Sequence, residues 1–96
     1  MNVLISRVEL HLPLCQSLKA KRSVLVPIVV HLDQMAGVGA AEIDHQDLWQ
    51  RATIGISVVG APVSHQNQVM ESIERYLWSR SDVDIIEITE SWWEED

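Results

Sequence analysis

The sequence predicts an α+β fold, four strands and two helices in the order β-α-β-β-α-β, on three observations. Three short stretches, within residues 3–12, 38–44 and 51–59, alternate apolar and polar residues with a period of two, and a fourth, 83–90, also reads as a strand. Two longer stretches repeat their apolar residues at helical spacing. Pro13, Gly37, Gly39 and the Gly60-Ala61-Pro62 break fall between these stretches.

Residues 3–12 open the chain as a strand. Leu4, Val8, Leu10 and Leu12 take one face, Arg7, Glu9 and His11 the other, and Pro13 ends it. Ser17 is placed to cap a helix over about residues 17–36, with Leu25, Ile28, Val29 and Leu32 as its buried stripe. Pro27 lacks an amide hydrogen and is expected to kink this helix near Ser23. Gly37 and Gly39 suit its C-terminal end. Residues 38–44 read as a second strand with Ala41 and Ile43 inward and Glu42 and Asp44 outward. A polar turn leads to a third strand, 51–59, with Ala52, Ile54, Ile56 and Val58 inward.

Pro62 and Ser64 mark the start of a second helix, about 64–80, whose buried stripe is Val69, Ile73, Tyr76 and Leu77. Residues 83–90 form the last strand, and residues 91–96 either prolong it or hang as a loose acidic end. Interleaving right-handed crossovers turn this order into one antiparallel sheet, strand order 4-1-3-2, with both helices on one face: the ferredoxin-like sandwich. One sheet face is left open.

Ninety-six residues make one domain, and 47% apolar residues are enough for a core. A chain this short gains from oligomerisation. Fourteen acidic residues against seven basic ones give a net charge of −7, which disfavours DNA and any broad electrostatic grip on nucleic acid. Cys15 is alone, so no disulfide forms within the chain, as expected for a reducing cytosol. No signal peptide or membrane-spanning run is read; the expectation is a cytoplasmic protein that does not enter the membrane.

Two motifs together look like a known family. Ser17-Leu18-Lys19-Ala20-Lys21-Arg22 after the first strand, followed by Ala41 through Gly60, closely resemble the YlxP-like family of small bacterial proteins of unknown function, and Arg7-Val8-Glu9-Leu10-His11 fits as well. The resemblance implies a ferredoxin-like fold and a cytoplasmic bacterial protein. Its members are often encoded beside a translation initiation factor and a ribosome-binding factor, which implies a role near translation or ribosome assembly. It supplies no catalytic residues. The chain departs from the family in its first helix, where Val24-Leu25-Val26-Pro27-Ile28-Val29-Val30 replaces a charged stretch and hints at a packed interface.

Candidate sites follow from residue type and place. Lys19, Lys21 and Arg22 sit in the first turns of a helix, where cations oppose the dipole; a phosphate of RNA or of a ribosomal particle is the ligand they suit, against a plain solvated turn. On the open face Glu9, His11, Glu42, Asp44 and Arg51 are expected to converge, most simply as an ion-pair network. A sharper reading of the same corner is a metal site or small enzyme using His11, Asp44, His45 and Asp47, although no tight ligand motif is present. His31, half-buried on the first helix, and His65, in the first turn of the second, read as structural.

Trp49 and Trp78 are expected as lids on the core. Trp92 and Trp93, adjacent in a strand, must face opposite ways. With Val26 and Val30 they are the candidates for self-association into a homo-oligomer. RNA-recognition modules of this topology read bases with aromatics on the central strands, and none stands there. Amino-acid-sensing modules place glycine after the first strand, where this chain has Pro13-Leu14-Cys15-Gln16. The reading is a non-enzymatic binding or assembly domain near ribosome or RNA metabolism, without a cofactor, with the metal or enzyme corner as its alternative.

Overall fold

A computed structural model describes all residues, Met1–Asp96. Its elements are β1 (Asn2–His11), α1 (Leu18–Asp33), β2 (Val38–Asp44), β3 (Arg51–Val59), α2 (Val63–Ser79) and β4 (Asp84–Glu94). The sheet is antiparallel throughout in the order β2-β3-β1-β4. This is the ferredoxin-like arrangement, with β1 and β3 central and β2 and β4 as edges.

Alternation along the central strands fills the core. Leu4, Val8 and Leu10 of β1 and Ala52, Ile54, Ile56 and Val58 of β3 are buried beneath the helices. Burying an aliphatic side chain of this size contributes about 1.5–3 kcal/mol before conformational entropy is charged against it. Ser17 caps α1, its Oγ accepting the Ala20 amide hydrogen at 3.0 Å. The helix runs unbroken through Pro27, from Leu18 to Asp33. Pro27 and Ser23 are exposed, and water can serve the Ser23 carbonyl that proline leaves without a donor.

The buried stripe of α1 is Lys21, Leu25, Ile28 and Leu32, so a lysine holds a core position. In α2 it is Gln66, Met70, Ile73 and Leu77, with Val69 and Tyr76 partly buried. Pro62 takes the N-cap position and Ser64 lies inside the helix. Gln66 donates to the Asn2 carbonyl at 2.7 Å and the Val58 carbonyl at 2.9 Å, tying α2 to both central strands. His31 is exposed rather than half-buried; its ring stacks on Tyr76 at 3.8 Å and so joins the two helices. Trp49 and Trp78 are exposed and close nothing over the core.

The second strand faces the other way from the sequence expectation. Val38 pairs with Val58, Ala40 with Ile56 and Glu42 with Ile54, so these three residues lie on the helix side. Ala41 and Ile43 lie on the open side. A bulge between Glu42 and Asp44 then brings Asp44 opposite Thr53 on the open side. The C-terminal residues prolong β4 through Glu94, with Trp92 opposite Leu4 and Trp93 opposite Val3.

Candidate functional site

The uncovered face of the sheet divides into a polar and an apolar half. The polar half is built where β1 and β3 pair Glu9 with Thr53 and Arg7 with Gly55. Thr53 donates its hydroxyl to Glu9 Oε2 at 2.6 Å, and Arg7 Nε donates to Glu9 Oε1 at 3.1 Å. Arg7 also reaches Asp44 Oδ2 at 3.4 Å, and an Arg51 guanidinium nitrogen stands 3.9 Å from Glu9. The Thr53 hydroxyl is the main reason the Glu9 carboxyl lies below its ordinary range; burial opposes this and Arg7 reinforces it. A carboxylate acting as general base near neutral pH needs the opposite shift.

Glu9, Asp44 and Arg51 thus come together as an ion-pair network, with Arg7 at its centre. Arg7 stands on the outward face with Glu9 and could have been named from that parity. Two residues expected in the cluster are elsewhere. Glu42 is on the helix side, because β2 has apolar residues at both parities and pairing with β3 chooses Val38 and Ala40 for the core. His11 turns to the opposite edge, with Nδ1 3.2 Å from Asp84 Oδ2. His45 is in the β2–β3 turn at φ 62°, with Nδ1 3.6 Å from Asp44 Oδ1. Asp47 lies further along that turn, and His11, Asp44, His45 and Asp47 do not gather; nowhere do three or more His, Cys, Asp or Glu side chains form a metal-sized group.

The basic cluster is also split. Lys19 and Arg22 are exposed, while Lys21 is 3% exposed. Its ammonium donates to the His45 carbonyl at 2.7 Å and lies 2.8 Å from Glu42 Oε2, close but not aligned as a hydrogen bond. Lys21 is therefore withdrawn from any phosphate and instead staples α1 to β2 and its turn. The signal was present: Lys21 continues the spacing of Leu25, Ile28 and Leu32, and a cation on that stripe needs a buried acid.

The apolar half is a shallow trough of about 470 Å³. Gly39, Ala41, Gly55 and Ser57 give it a low floor, and Ile5, Arg7 and Ile43 form its walls. Gly55 permits this, since a side chain there would meet Ile43 at 3.0 Å. Ile5, Ile43, Val59 and Trp93 are all exposed on this side. The proposed self-association residues do not form one patch. Val26 and Val30 are exposed on α1, which packs on β2, whereas Trp92 and Trp93 lie on β4 at the far edge.

Fold and face together define a small ferredoxin-like domain with a partly apolar, open sheet surface. Residues 3–90 match the family described as "Protein of unknown function (DUF503)", and the chain belongs to that family. It is also similar to "Uncharacterized protein YlxP" of Bacillus subtilis (strain 168), at 38% identity over 61 residues. That alignment covers 64% of this chain and 63% of the relative, so the match spans less than two thirds of the relative's length. No helix is long and apolar enough to cross a membrane.

Proposed function

We propose that this chain is a non-enzymatic binding and assembly domain that receives a protein partner on its open sheet face. The observation that carries the reading is the exposure of Ile5, Ile43, Val59 and Trp93 beside a trough floored by small residues. A sheet face turned to water ordinarily presents polar side chains, and a contiguous apolar surface marks an interaction site. The trough is too open to exclude water from a reaction. Its neighbouring carboxylate is saturated by Thr53 and Arg7, which suits positioning better than proton transfer.

The genomic setting implied by the family resemblance extends the proposal to translation or ribosome assembly. With Lys21 committed to Glu42 and His45, RNA contact falls to Lys19 and Arg22, a weak footprint on a chain of net charge −7. Co-sedimentation with ribosomal particles distinguishes the two modes. A protein contact predicts that Ile43→Asp abolishes co-sedimentation and that Lys19→Glu with Arg22→Glu leaves it intact. The reverse pattern overturns the sheet-face reading in favour of phosphate contact. Self-association is proposed only for Val26 and Val30, neighbours at i, i+4 on α1, and light scattering of Val26→Asp against the native chain tests it.

A further inference from the structure

We infer that the outer edge of β4 receives an extended, lysine- or arginine-rich segment of another protein as a fifth strand of the sheet. This goes beyond the face reading: it uses main-chain groups at the sheet edge, and either proposal survives failure of the other.

The main chain supplies the first argument. Met1 and Glu95 exchange both of their backbone hydrogen bonds, at 2.9 and 3.4 Å. Antiparallel pairs alternate, so Trp93, Ser91 and Thr89 direct their amides at β1 while Trp92, Glu90 and Ile88 direct theirs outward. Nothing in the chain pairs with those outward groups. The other edge is different. On β2 the Ala40 amide is taken by Asp33 Oδ1 at 3.1 Å, and the strand has only seven residues. β4 has eleven, with no proline, glycine or lysine to blunt it, and its one bulge lies near the Asp84 end.

Charge selects the occupant. β4 contains Asp84, Glu87, Glu90 and Glu94 and no basic residue. Asp84 is paired with His11; the other three have no cation within ion-pair distance. The negative charge extends onto α2, where Glu74 is pushed up first by burial and then by Glu90. A second copy is a poor occupant, since two-fold pairing of β4 with itself sets acids against acids. A basic strand meets the opposite situation on both sheet faces. Glu90 and Trp92 lie on the helix side, Glu87 and Trp93 on the open side, so alternate side chains of an incoming strand each meet a carboxylate and an indole. Trp92 and Trp93 are 40% and 47% exposed, and a lysine stem with its ammonium can lie across either ring.

The test uses the full chain and three synthetic peptides of roughly strand length. One alternates lysine with valine, one replaces lysine by glutamate, and one is the lysine peptide N-methylated at alternate residues. Amide hydrogen exchange is the readout. The lysine peptide is expected to slow exchange at Ile88, Glu90 and Trp92 by about tenfold or more at saturation, leave Thr89 and Ser91 unchanged, and shift tryptophan emission. The glutamate peptide is expected to do neither. Equal binding of the N-methylated peptide would reduce the effect to surface adsorption and overturn the proposal. Concentration-dependent protection of the same amides without peptide would assign the edge to a second copy and overturn it equally. Glu90→Pro removes one outward donor; because that change can disturb folding, Glu87→Lys with Glu90→Lys is the companion variant and should exchange the preferences of the two charged peptides.

Discussion

Replacing Lys21 by methionine separates a structural lysine from a ligand-binding one. In the native chain the Lys21 side chain is 3% exposed, and its ammonium serves the His45 carbonyl at 2.7 Å and Glu42 at 2.8 Å. Methionine fills similar space but leaves both partners. A part-buried carbonyl without its donor costs about 1–3 kcal/mol. Breaking a fully buried ion pair costs about 3–5 kcal/mol, but Glu42 keeps 25% of its side chain in water and its contact with Lys21 is poorly aligned, so about 1 kcal/mol is assigned to it. Relief from desolvating the ammonium offsets part of this, for a net loss of about 2 kcal/mol.

At a urea slope of about 1–1.5 kcal/mol/M, the unfolding midpoint should fall by roughly 1.5 M with an unchanged slope. The double variant Lys21→Met with Glu42→Leu should recover at least half of that loss, because no charge is left unpaired. A midpoint shift under about 0.4 M for Lys21→Met would refute the staple and return Lys21 to the pool of solvent-facing cations.

Two further outcomes follow from the same geometry. Because the folded pKa of Glu9 is depressed, its contribution is present above the unfolded value of about 4.3 and is lost as pH falls through the lower folded value. Thr53→Val removes the main cause of that depression, so the Glu9 carboxyl should titrate higher by NMR and the acid limb of stability should flatten below about pH 4. Gly37 sits at φ 77°, and a side chain there would run into the Val59 carbonyl. Gly37→Ala should therefore cost about 2 kcal/mol or more in urea unfolding, whereas Gly55→Ala, which meets only the movable Ile43 side chain, should cost less than half as much.

The amino-acid sequence determined by itself the element order, the fold class, and the facing of β1 and β3. In those strands polar and apolar residues alternate, and a period of two assigns each side chain to a face without knowledge of its neighbours. It likewise placed Glu9 and Arg51 on one surface. Tertiary structure decided the facing of β2. Val38 and Ala40 compete there with Ala41 and Ile43 for the core; contact with Val58 and Ile56 settles the choice, and the bulge after Glu42 then returns Asp44 to the open side. It also decided that Lys21 is buried, since a lysine on an apolar stripe is tolerable only where a folded neighbour supplies the carboxylate and carbonyl to receive it. Alternation is a local property that the chain carries along its length, whereas register and charge pairing arise only when distant segments meet.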